Sequence, residues 1–125
     1  MAYVSINPLT NETLKEYDPL TREQTVEAIE QADEAFDCWR HTSFDERKNL
    51  MLQYAAGLRE RIDEFSRLIT LEMGKRISES REEINFCAEI AEFYANGAEK
   101  FLADQPMEVD DADAYVQYAP IGVLL

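Results

Sequence analysis

Glycine, cysteine, histidine and lysine are all scarce in this sequence. Its four glycines, Gly57, Gly74, Gly97 and Gly122, are dispersed over 125 residues. No glycine-rich turn between a strand and a helix, of the kind that cradles a dinucleotide, can be assembled from them locally. Gly74-Lys75 ends like a phosphate-binding loop, but Ile69 stands where that loop requires its first glycine. Two cysteines are too few for a disulfide framework, and Cys38 and Cys87 lie far apart in helical patterns. They read as reduced, packed thiols, and no redox motif is present. The single histidine, His41, makes a Cys-x-x-His pair with Cys38. That pair offers two ligands where a zinc site takes three or four from protein, so Cys38 reads as packed at a helix end and His41 as part of a surface loop. No apolar run approaches the roughly 18 residues of a membrane span. Met1-Ala2-Tyr3-Val4-Ser5 has neither the basic start nor the apolar stretch of a secretory leader, which leaves the cytoplasm as the expected location.

Basic residues are few as well. Twelve face 26 acidic ones for a formal charge of −14, a sign that disfavours nucleic acid as a partner. Arginine outnumbers lysine, which occurs at Lys15, Lys48, Lys75 and Lys100. This balance fits a salt-rich cytoplasm, where screening shortens self-repulsion, and equally an ordinary acidic protein. A hydrophobic content of 46% and an aromatic content of 10% suffice for a core.

The pattern along the chain is mostly helical. Val4/Ile6 and Leu14/Glu16 alternate on either side of the turn formers Asn7-Pro8-Leu9-Thr10-Asn11, which predicts a hairpin from Val4 to Tyr17, with Asn11 taking the left-handed conformation. Thr21-Arg22-Glu23-Gln24 is a capping box and predicts a helix start. Val26, Ile29, Ala32, Phe36 and Trp39 then form one apolar stripe. Ser43-Phe44-Asp45-Glu46 repeats the device for a second helix running to about Ile62, with Met51, Tyr54, Ala55 and Leu58 on its apolar side. Asp63 can cap a third helix that ends at Gly74, a residue suited to the left-handed position after a helix. Glu72 falls on the apolar face of that helix, and Lys75 and Arg76 are spaced to pair with it.

The longest helix is expected from about Ser78 to Ala103, with apolar residues on two faces. Ile84, Cys87, Ala88, Ala91, Ala95, Ala98 and Leu102 make one; Phe86, Ile90, Phe93, Gly97 and Phe101 make the other. A helix apolar on two sides is normally buried between layers or subunits. Pro106 breaks the helical run, and Asp110-Asp111-Ala112-Asp113 makes a polar turn that lacks the glycine and glutamate of a calcium loop. From Ala114 to Leu125 the chain becomes an apolar β-type run of the kind a parallel sheet covers on both faces. Such a strand, together with the two-faced helix, leads us to expect an incomplete α/β domain.

Three blocks together resemble the N-terminal part of the aldehyde dehydrogenase superfamily: Ile6-Asn7-Pro8-Leu9-Thr10-Asn11-Glu12, Leu71-Glu72-Met73-Gly74-Lys75 and Tyr118-Ala119-Pro120-Ile121-Gly122-Val123. The resemblance covers essentially the whole chain. Thr70 to Lys75 and the Trp39-Arg40 segment are most similar to succinate-semialdehyde dehydrogenase-like members. Asn11 departs from the glycine usual in relatives, and Ala119 from a basic residue that many of them carry. The resemblance implies that residues 1–125 are the N-terminal part of an NAD(P)-binding α/β domain, mostly helical here and incomplete at the C-terminus. It also implies oxidation of an aldehyde to an acid through a thiohemiacetal on a cysteine, with hydride passing to NAD or NADP, in a full-length homo-oligomer. In that family the Pro-Trp-Asn segment, the general-base glutamate, the cofactor glycines and the nucleophilic cysteine all follow the strand that begins at Ile121. Cys38 and Cys87 match no catalytic position. No residue here is assigned as catalytic, cofactor-binding or metal-ligating; the implied role is structural, in helices flanking the cofactor domain and strands near the oligomerisation region. The rival reading is a stand-alone acidic helical interaction module that uses the two-faced helix as its docking surface.

Overall fold

The computed structural model describes residues 3–124. Met1 and Ala2 of the leader reading, and Leu125 at the end of the apolar run, lie outside the described residues. Two antiparallel hairpins bracket four helices. The chain runs β1 (Tyr3–Ile6), β2 (Thr13–Tyr17), α1 (Arg22–Trp39), α2 (Phe44–Glu60), α3 (Ile62–Met73), α4 (Ile77–Phe101), β3 (Gln105–Met107) and β4 (Ala114–Val116). Among these residues no helix is long and apolar enough to cross a membrane.

The first hairpin forms where alternation and turn chemistry predict it. Val4 faces Glu16 across the ladder, the register shifts between Ser5 and Ile6, and Asn11 sits at φ 58°, the left-handed region that asparagine tolerates. Both capping boxes are made. Thr21 Oγ1 accepts from the Gln24 amide at 3.2 Å while Gln24 Oε1 accepts from the Thr21 amide at 2.9 Å; Ser43 and Glu46 repeat the exchange at 3.2 and 2.8 Å. Asp63 does not cap α3. It lies inside the first turn and accepts from Arg81 of α4 at 2.7 Å, because α2 ends at Glu60 and α3 restarts after the single residue Arg61. Gly74 ends α3 at φ 71°.

The core lies between α2, α3 and α4. Ala55 and Leu58 of α2 pack against Ile84, Ala88 and Ala91 of α4, and Ile62, Phe65 and Ile69 of α3 close the third side. Alanines at these α4 positions let the helix backbones approach closely, and dense contact of this kind, more than propensity, holds short helices together. Two serines are fully buried in the same seam. Ser80 Oγ shares a 3.1 Å hydrogen bond with Thr70 Oγ1 and donates to the Arg76 carbonyl, while Ser66 donates to the Ile62 carbonyl, so neither hydroxyl is left unsatisfied. At the rim, Arg59 grips Glu92 with both arms of its guanidinium, and Lys75 pairs with Glu83.

Two expectations about packing change. Cys38 and Cys87 are free but exposed, because Cys87 falls beside the α4 core stripe and Cys38 lines an open groove on α1. The apolar run from Ala114 pairs as a strand only to Val116, against β3; residues 117–124 adopt no regular structure, and Ile121 is 89% exposed. A strand exists through hydrogen bonds to a neighbour, and beyond Val116 the described residues offer none.

Candidate functional site

Two of the sequence blocks, far apart along the chain, meet at the corner where α3 turns into α4. A Cβ built on Gly74 would lie 3.0 Å from Pro8 Cγ, so the hairpin turn rests on the one residue of this corner that has no side chain. Beside it, Ser5 Oγ donates to Glu72 Oε1 at 3.1 Å. Glu72 therefore takes its partner from the hairpin and not from Lys75 or Arg76. The left-handed Gly74 ends helical spacing, which turns Lys75 toward Glu83 and leaves Arg76 at 3.7 Å from Glu79. The third block lies apart, in an irregular segment where Tyr118 Oη accepts from Gln105 Nε2 at 3.1 Å.

Two apolar surfaces remain. On α4 the second face is uncovered among the described residues: Phe86 is 60% and Phe93 62% exposed. Phe93 stacks edge-on to Tyr94 at 5.3 Å between centroids and lies 5.6 Å from Phe101. On α1 an open groove of about 610 Å³ is lined by Ala32, Phe36, Cys38, Trp39 and Thr42 and meets Val123 from the C-terminal segment. Ile29, Ala32 and Phe36, the centre of the predicted stripe, are only half-buried.

His41 Nδ1 lies 2.8 Å from the Asp37 carbonyl, tying the ring to the end of α1, and the described residues hold no group of three or more metal-ligating side chains. Lys75 is engaged by Glu83, whose carboxylate holds its ammonium pKa above the ordinary value. The same physics acts at the rim, where hydrogen bonds from Arg59 and Arg61 hold Glu92 and Glu64 below the usual carboxylate range. These are surface pairs of structural kind. A nicotinamide cofactor does not fit the residues present. Gly57 and Gly97 are inside helices, Gly74 ends one, Gly122 lies in irregular chain, and both sheets are two-stranded and antiparallel. The parallel strand and helix N-terminus that hold a pyrophosphate are not among them. Arg47, to which sequence patterning assigned no role, is the side chain it missed; an arginine in the first turn of α2, flanked by Trp39 and Phe44, was the available signal.

The architecture is that of the helix-rich N-terminal part of an α/β dehydrogenase. It superposes on the succinic semialdehyde dehydrogenase of Streptococcus pyogenes, solved in complex with NADP+, with a TM-score of 0.87 and 36% identity, over 93% of this chain and 26% of that one. Residues 1–125 match the aldehyde dehydrogenase family, and the chain belongs to that family. Over its whole length it is 36% identical to a probable NADP(+) succinate-semialdehyde dehydrogenase of Synechocystis sp. and 38% identical to the NADP(+) succinate-semialdehyde dehydrogenase of Mycobacterium leprae. It spans 28% of the length of each.

Proposed function

We propose that residues 1–125 are the N-terminal part of an NAD(P)-binding aldehyde dehydrogenase domain that is incomplete at its C-terminus. The whole protein then oxidises an aldehyde to a carboxylic acid, with succinate semialdehyde as the substrate and NADP+ in preference to NAD as the hydride acceptor. The observation that carries this reading is identity of 36% and 38%, across all of this chain, to relatives named for that substrate and cofactor. The exposed aromatic face of α4 supports incompleteness, since covering what is exposed of Phe86 and Phe93 would contribute something like 2–4 kcal/mol. The chain by itself is inactive in this reading, because its residues build neither a nucleophile site nor a cofactor cradle. A homo-oligomer in the cytoplasm, with neither nucleic acid nor membrane as a partner, completes the proposal.

The test has two arms. The 125-residue chain, mixed with NADP+ and succinate semialdehyde, is expected to give no absorbance of reduced cofactor above background; turnover there would overturn the structural role. The protein extended downstream of Leu125 in its own reading frame is expected to reduce NADP+ with succinate semialdehyde at a higher kcat/KM than with longer or uncharged aldehydes. Equal rates for all of them would remove the substrate assignment and leave the family standing.

A further inference from the structure

α1 buries no residue and has no extensive packing against another helix, yet its last turn is held from outside by one side chain. Arg47, half-buried in the first turn of α2, donates through Nε to Thr42 Oγ1 at 2.8 Å. Its Nη2 reaches the carbonyls of Trp39 at 3.1 Å and Arg40 at 3.2 Å. Thr42 Oγ1 in turn donates to the Trp39 carbonyl at 2.7 Å, so the three acceptors form one connected network. The guanidinium also lies 5.6 Å from the Trp39 ring centroid and 6.0 Å from that of Phe44, one aromatic from each helix.

These carbonyls are those a helix C-terminus leaves without intrahelical partners, and a cation is favoured there. α1 has no basic residue in its own last turn. We propose that Arg47 is a strap that sets the angle of α1: it caps α1 from within α2, across the hinge formed by His41, Thr42 and Ser43. The strap holds Trp39 and Thr42, two walls of the α1 groove, so the shape of that groove follows from the joint and not from a core. Lysine cannot replace it, since a single ammonium lacks the planar fork that spans three acceptors. The inference is independent of which aldehyde the whole protein acts on.

Hydrogen exchange tests it. In Arg47→Met the amides of Arg40, His41 and Thr42, which donate to the Phe36, Cys38 and Trp39 carbonyls, are expected to exchange about tenfold faster, while those around Ala88 in α4 keep their rates. Unchanged rates at Arg40 to Thr42 would overturn the proposal. So would equal acceleration in α4, which would make Arg47 a bundle residue. Should Arg47→Met not fold, Thr42→Val removes the Nε acceptor and leaves Arg47 in place; the same three amides are expected to speed up, by less, and wild-type rates there would overturn it too. Trp39 is the only tryptophan of this chain. Its fluorescence anisotropy is expected to gain a fast component in Arg47→Met, to a smaller degree in Arg47→Lys, and an unchanged decay in both would count against the strap.

Discussion

α1 and α2 begin with the same chemistry and end in opposite environments. Each opens on a completed capping box, at Thr21 and at Ser43, and each carries an apolar stripe. α2 buries Ala55 and Leu58 against α4, whereas α1 buries nothing and is joined to the rest through the turn that Arg47 spans. The difference teaches that a cap decides where a helix starts and has no say in whether its stripe finds a partner. Local hydrogen bonds are settled within a few residues, but burial needs a second surface of matching shape.

Four tests would break or sharpen that contrast. The largest effect is expected from Ile84→Ala, which removes a core side chain between α2 and α4. It should cost about 2–5 kcal/mol in denaturant unfolding, while Ile29→Ala in α1 should cost less than about 1 kcal/mol. Similar losses at both sites would mean that α1 is as well packed as the bundle. Gly74→Ala comes next. Its left-handed backbone and the nearby Pro8 ring together should cost about 1–2 kcal/mol, and the amides of β1 and β2 should lose protection as the hairpin lifts from α3. The two caps provide the direct comparison: Thr21→Ala and Ser43→Ala each remove about 1 kcal/mol of local stabilisation. Ser43→Ala is expected to lower the midpoint of the main unfolding transition, Thr21→Ala only to speed exchange at the start of α1, and equal shifts of the main transition would erase the distinction.

The smallest effect concerns the rim of the bundle and depends on pH. The Arg59 hydrogen bond holds Glu92 below its ordinary 4.5 in the folded protein. A group with a depressed folded pKa stabilises above the unfolded value, and that contribution is lost as pH falls through the folded value. Glu92→Gln should therefore melt slightly below the wild type near neutrality, with the gap closing as pH drops from about 4.5. A gap that persists in acid would show that the side chain acts through packing. Taking the difference between the two proteins removes the general effect of titrating so many other carboxylates.

Much of the local structure was legible in the residues themselves. Both capping boxes, the turn at Asn11, the helix end at Gly74 and the polar turn at Asp110 to Asp113 depend on atoms only a few residues apart. The two faces of α4 were equally readable from spacing. Partner choice was not. Glu72 was expected to take Lys75 or Arg76 by helical spacing; it took Ser5, because the left-handed glycine ends that spacing and the hairpin brings a hydroxyl in from far along the chain. Asp63 was expected to cap and instead bonds Arg81. The thiols of Cys38 and Cys87 were expected to be packed and are exposed. Of the candidate site, the contacts that Arg47 makes with Thr42, Trp39 and Arg40 were not legible, because they run between the end of one helix and the start of the next.

By itself the amino-acid sequence determined where α1 and α2 begin and where α3 ends, how the apolar stripes run, and which family the three blocks resemble. Only the tertiary structure decided which stripe is covered, which charge meets which, and that Pro8 rests on Gly74. The physical reason is range. Caps, turns and periodicity are set by neighbours along the chain, whereas burial and ion pairing are set by neighbours in space, and those neighbours exist only once the helices have packed.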